Sequence, residues 1–140
     1  MNLWIINHYA LTLSKDGSEG RHARLAFHLK KWGWRVTLVS ASVSHPSGDQ
    51  KLRGLKLRLV ENSDGYASVL LWVPRYRRRG VARVVGMVLF GLQLVLPRTL
   101  TRLEPPNVIM GSTVHFLAAL SALCLAKRYR VPFIYEVRDI

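Results

Sequence analysis

The chain reads as an α/β domain with a mostly parallel sheet and helices on both faces, and three observations predict it. Short, mostly apolar runs of strand length recur at Leu3 to Ile6, Val36 to Val39, Val108 to Met110 and Phe133 to Val137, the pattern of strands buried on both faces. Polar or glycine-containing loops follow the first and third of these runs, and segments of helical period separate the runs in between. A strand, loop, helix and strand within about forty residues form a βαβ unit, which crosses over right-handedly into a parallel sheet.

Leu3 to Ile6 is the first strand, and Met1-Asn2-Leu3-Trp4-Ile5-Ile6 has neither the basic leader nor the apolar length of a signal peptide. The polar loop Ser14 to Gly20 leads to a helix with Leu25, Ala26, Leu29 and Trp32 on one stripe and Gly33 as its stop. Arg35 to Ser40 is the second strand. Ala41 to Gly54, rich in Ser, His, Pro and Gly, is a surface excursion. Leu55, Leu57 and Leu59 alternate with Lys56 and Arg58, Asn62-Ser63-Asp64-Gly65 turns the chain, and Ser68 to Val73 returns, as a hairpin or a pair of edge strands. A basic loop with Arg75, Arg77, Arg78 and Arg79 leads into an apolar helix, Val81 to Leu96, stopped or kinked by Pro97. The unit then repeats as strand Val108 to Met110, loop Gly111-Ser112-Thr113, a helix from about Val114 to Arg130, and a buried strand from Phe133. The whole is one Rossmann-like domain over residues 1–140, without an internal boundary.

Composition narrows the partners. Lys and Arg number 21 against 8 Asp and Glu, a net charge of +13, which implies an anionic partner: nucleic acid, anionic lipid or a phosphorylated substrate. No zinc pattern, helix-turn-helix or aromatic-interleaved basic strand is present, so nucleic acid is the weakest of these. The single Cys124 lies in an Ala/Leu-rich helical run and reads as packed core; nothing suggests a disulfide framework, which fits a reducing cytoplasm. Arg77, Arg78, Arg79 and Arg83 precede the apolar run Val84 to Leu96, and Arg98 and Arg102 follow it. Its thirteen positions make a helix of about 20 Å, too short for a hydrocarbon core of about 30 Å. Such a helix either lies at a membrane surface with its arginines on lipid phosphates or is a core helix with solvated flanks.

Three segments can carry chemistry. The loop from Ser14 to His22, with Gly17, Gly20, Arg21 and His22, stands at a strand's carboxyl end, where backbone N–H groups and a helix N-terminus can meet a phosphate. It is not a dinucleotide fingerprint, because G-x-G-x-x-G is incomplete and no acidic residue closes the second strand, which weakens an oxidoreductase reading. Gly111, Ser112 and His115 hold the equivalent place later and can hydrogen-bond a sugar or phosphate; alternatively Ser112 or Thr113 caps the helix. Glu136, Arg138 and Asp139 sit at the end of the last strand, where open α/β sheets collect ligands. There a carboxylate beside a guanidinium is a general base held ionised, a substrate anchor, or a structural ion pair.

Asn7-His8-Tyr9, Gly20-Arg21-His22, the run LKKWGWRVTLVS from Leu29 to Ser40, Ser44-His45, Asp64-Gly65, Pro74-Arg75-Tyr76, NVIMGSTVH from Asn107 to His115 and VPFIYEVRD from Val131 to Asp139 together resemble the N-terminal domain of bacterial family-4 retaining glycosyltransferases. The nearest likeness is to the N-acetylfucosaminyl transferase group of O-antigen and capsule synthesis. The resemblance implies one half of a GT-B fold, an acceptor-side domain facing a C-terminal nucleotide-sugar domain that the 140 residues do not include. It implies sugar transfer from a nucleotide sugar to a polyprenyl-diphosphate-linked or saccharide acceptor, without metal or other cofactor, at the inner face of the cytoplasmic membrane. On that likeness Gly20 and its loop approach the donor diphosphate, Gly111, Ser112 and His115 line the acceptor side, and Arg138 and Asp139 stand near the reacting sugar as the catalytic pair. The chain departs from the family at Ser18-Glu19-Gly20, where consecutive glycines are usual, and at Thr113-Val114-His115-Phe116, where Ser-Pro-His-Pro is common. It also lacks the usual Trp-Pro after Arg138-Asp139, and alone it is expected to be inactive. The rival expectation is a non-catalytic membrane-docking subunit of a split transferase.

Overall fold

The computed structural model describes residues 1–10, 20–44, 47–52, 58–63, 66–76, 80–113 and 115–138, with backbone only for 58–63. In chain order the elements are β1 (Asn2–Ile6), α1 (Arg21–Lys31), β2 (Arg35–Ala41), β3 (Arg58–Ser63), β4 (Tyr66–Leu71), α2 (Val81–Val95), β5 (Val108–Ser112), α3 (Phe116–Tyr129) and β6 (Phe133–Glu136). They build one sheet in the order β3-β4-β2-β1-β5-β6. Five strands run parallel, and β3 pairs antiparallel with β4. The expected α/β class with a Rossmann-like sheet is therefore present.

The central strands are mostly apolar because helices cover both faces, and their period of two deals side chains alternately to them. Leu3, Ile5, Val36 and Leu38 pack with Ala23 and Ala26 of α1. Trp4, Ile6, Val39, Val69 and Ile109 pack with Phe90 and Leu94 of α2 and Ala118 and Ala122 of α3. Trp4 is fully buried, and its indole N–H donates to the Glu104 carbonyl at 3.2 Å, which satisfies the one polar atom that burial would strand.

α1 ends as the sequence predicts. Gly33 adopts φ +76°, and the Gly33 and Trp34 amides donate back to the Lys30 and Leu29 carbonyls, the paired bonds of a Schellman turn. The expected stripe changes with it: Trp32 caps the helix and is 81% exposed, while His22, Ala23 and Ala26 are buried and Trp34 packs in its place against the α1 cluster. α3 ends on Arg130, at φ 56° in the left-handed region.

Two further expectations are corrected. The last strand is an edge among the described residues, pairing with β5 alone, so Ile134 and Tyr135 are half exposed rather than buried. Cys124 is exposed: Ala118, Ala122, Leu125 and Ala126 face the sheet, and position 124 falls on the opposite side of α3. The hairpin is present; β4 also pairs with β2, so of its two strands β3 is the edge among the described residues, and Leu55, Leu57 and the Asp64-Gly65 turn lie outside the described residues.

Candidate functional site at the carboxyl edge of the sheet

Strand order reverses its direction of growth at β1: β2 and β4 extend one side, β5 and β6 the other. At such a switch point the loops diverge and leave a crevice beyond the carboxyl ends. The residues standing there are Asn7, His8 and Tyr9 after β1, His22 in the first turn of α1, Ser112 and Thr113 at the end of β5, His115 before α3, and Glu136 at the end of β6.

The strand alternation divides this edge in two. Ile6 faces α2 and α3, so Asn7 points to the α1 side and His8 back to the other. On the α1 side, the Tyr9 amide donates to Asn7 Oδ1 at 3.0 Å, which turns Asn7 Nδ2 towards His22 Nδ1 at 3.2 Å. An amide NH₂ only donates, so His22 Nδ1 accepts and the imidazole proton sits on Nε2. That N–H donates to Glu136 Oε2 at 2.7 Å. Arg21 Nε lies 3.3 Å from Glu136 Oε1. Burial pulls the Glu136 pKa upwards, but the hydrogen bonds from His22 and Ser112 and the charge of Arg21 outweigh it and hold the carboxyl below its ordinary value. Glu136 is thus an ionised carboxylate with lone pairs left for a ligand hydroxyl, while both His22 nitrogens are engaged inside the fold and serve to position it.

On the α2/α3 side, the His8 ring, 1% exposed, packs edge-on to Tyr9, Phe90 and His115 with centroids 4.5 to 4.8 Å apart. His115 is the N-cap of α3, its Nδ1 accepting from the Ala118 amide at 3.3 Å. The cap is therefore this imidazole rather than Ser112 or Thr113. Burial, and then the charge of Arg83, push the His115 pKa down to about 4, so the ring is neutral at pH 7. Arg83 donates from Nε to the Tyr9 hydroxyl at 2.8 Å, its guanidinium carbon 5.4 Å from the Tyr9 ring centroid. Tyr76 hydrogen-bonds Tyr9 as well; burial raises its pKa, Tyr9 adds to that, and Arg83 opposes it.

Of the residues singled out from sequence, the fold brings Arg21, His22, Ser112, His115 and Glu136 to this edge. Gly20 is the N-cap of α1, at φ −64° and ψ 147°, without a side-chain cap. Gly111 lies beneath α3, where an added Cβ would stand 2.9 Å from Ala122 Cβ and 3.2 Å from Ala119 Cα, so packing explains the glycine. Ser112 is fully buried. Arg138 is exposed, its amide donating to Thr113 Oγ1 at 2.9 Å. Glu136 pairs with α1 instead of with Arg138, which corrects the ion pair expected where strand meets loop. Gly17 and Asp139 lie outside the described residues, as do Arg77, Arg78 and Arg79. Asn7, Tyr9, Tyr76 and Arg83 join the site without having been singled out for it. Among the described residues no three His, Cys, Asp or Glu side chains gather as a metal site.

Fold and site together define a Rossmann-like α/β domain whose hydrogen-bonding and charged side chains converge on the switch-point edge of its parallel sheet. No protein-family model matches the chain, and no curated protein matches it.

Proposed function

We propose that this domain is the acceptor-side half of a metal-independent retaining glycosyltransferase, acting on a lipid-linked or saccharide acceptor in cell-surface polysaccharide synthesis, with a nucleotide-sugar domain as the opposite wall of its cleft. The observation that carries the reading is the Asn7-His22-Glu136-Arg21 chain at the switch point, a fixed carboxylate and guanidinium offered to a polyhydroxylated ligand. Catalysis in such a cleft is mostly positioning and electrostatic stabilisation of a departing diphosphate. Glu136 orients an acceptor hydroxyl, and Arg21 and Arg138 face negative charge.

The membrane part of the proposal rests on α2. Val81, Val84, Val85, Val88, Leu92, Val95 and Leu96 are exposed along one side of it, and Arg98 and Arg102 beyond its end are exposed as well. No helix among the described residues is long and apolar enough to cross a membrane, so contact would be lateral, at the inner leaflet of the cytoplasmic membrane.

Calorimetric titration of the chain with a short-chain polyprenyl-diphosphate-linked N-acetylhexosamine tests the reading. Saturable binding that Glu136→Gln weakens at least about tenfold, the loss of one charged hydrogen bond to the ligand, is the expected result. Absence of binding, or binding indifferent to Glu136→Gln, would overturn it.

A further inference from the structure

Two hydrogen-bond donors at the carboxyl edge have no acceptor among the described residues. His115 spends Nδ1 on the Ala118 amide, so the neutral ring carries its proton on Nε2. Nε2 is buried and has no hydrogen-bond partner. Arg83 spends Nε on the Tyr9 hydroxyl and has no carboxylate partner among the described residues, which leaves the two Nη nitrogens of its fork. Both side chains lie against Tyr9: the His115 and Tyr9 ring centroids are 6.2 Å apart, and Arg83 covers and bonds the same tyrosine. Buried donors are normally satisfied, and a half-buried guanidinium normally faces an anion.

We propose that Arg83 and His115 form a receptor for the oxygens of a phosphoryl group, with Tyr9 holding the guanidinium in place. The class follows from the donor count. A guanidinium fork alone satisfies both oxygens of a carboxylate, whereas a phosphoryl group has further oxygens, and one of them meets the imidazole N–H. The neutral state of His115 at pH 7 keeps Nδ1 on its cap and Nε2 as the donor. This site is separate from the Glu136 cluster and does not rest on sugar transfer. A nucleotide, a lipid diphosphate and free phosphate share this phosphoryl chemistry.

The test is NMR of the imidazole nitrogens in ¹⁵N-histidine-labelled chain, with His115 assigned by its absence in His115→Asn. Inorganic pyrophosphate, uridine diphosphate, geranyl diphosphate and acetate are titrated separately at pH 7.5. A saturable His115 Nε2 shift with the phosphoryl probes is expected, weakened about tenfold or more in Arg83→Gln, since a bidentate charged contact is lost. Arg83→Lys, which keeps the charge and loses the fork, should fall between, and unchanged melting of both variants shows that the fold is intact. The tightest of the three probes identifies the natural bearer. An unmoved His115 signal, acetate bound as well as pyrophosphate, or equal affinity in folded Arg83→Gln would each overturn the proposal. Failure of the acceptor titration with Glu136→Gln would leave this result standing, so the two readings fail separately.

Discussion

Lowering the pH from 7.5 to 5.0 should destabilise the domain through His115 before any carboxylate is involved. The folded ring has its pKa near 4 against 6.5 for an ordinary histidine. Between those values the unfolded chain binds a proton that the folded one refuses, so stability rises with pH across the window and is complete above 6.5. Each pH unit of separation is worth about 1.4 kcal/mol, which sets a ceiling of about 3 kcal/mol, or about 2 kcal/mol after allowance for solvent screening at a partly exposed ring. Of this, about 1 kcal/mol is lost by pH 5.0. Glu136 contributes in the same direction but lower: its folded pKa lies below 4.5, so its stabilisation is present above 4.5 and disappears only as the pH falls further. The assay is urea unfolding of the wild type and of His115→Asn at both pH values. Asparagine keeps a side-chain acceptor for the Ala118 amide as an N-cap while removing the titration, and the remaining histidines cancel in the difference. The wild type should lose about 1 kcal/mol more than His115→Asn. Equal losses in the two proteins, with equal m-values, would refute the reasoning.

Gly111→Ala should destabilise by about 1 to 3 kcal/mol, the usual range for overpacking, because its Cβ would meet Ala122 Cβ at 2.9 Å and Phe133 Cε2 at 3.1 Å. In an Ala122→Gly background the same change should cost at least about 1 kcal/mol less, and equal cost in thermal or urea unfolding would show that the crowding is not the cause. The pair Val84→Gln and Val88→Gln, at positions 58% and 43% exposed, should leave the melting temperature unchanged. It should reduce co-sedimentation with phosphatidylglycerol vesicles roughly thirtyfold, from about 1 kcal/mol for each partly inserted valine; undiminished sedimentation would remove α2 from the membrane.

The fold was legible because its physics is local. Strands covered on both faces are mostly apolar, so Leu3 to Ile6 and Val36 to Val39 announce themselves, and Gly33 stops α1 at a left-handed turn that glycine adopts at no steric cost. What failed was whatever depends on neighbours. Phe133 to Val137 has the composition of a central strand, but exposure follows from strand order, and among the described residues β6 is the edge of the sheet. Cys124 sits among alanines and leucines, but position relative to Ala122 and Leu125, rather than company in sequence, turns it outwards.

The site followed the same division. Residues at strand ends, such as Ser112 and Glu136, could be found by position alone, since β-strand carboxyl ends and helix N-termini meet at the sheet's edge. In the sequence Arg83 is one of several arginines before an apolar run. Yet it shares the buried stripe of α2, at spacings of 3, 4 and 4 through Gly86, Phe90 and Leu94. His22 likewise begins the stripe that Ala23 and Ala26 continue in α1. A chargeable side chain in the first turn of a helix, on the face turned to the sheet, has the strand ends directly in front of it and must find a partner there or offer itself to a ligand. His22 finds Asn7 and Glu136, and Arg83 finds Tyr9 with a single nitrogen. The difference between those two outcomes is why the first cluster supports a positioned carboxylate and the second an open anion receptor.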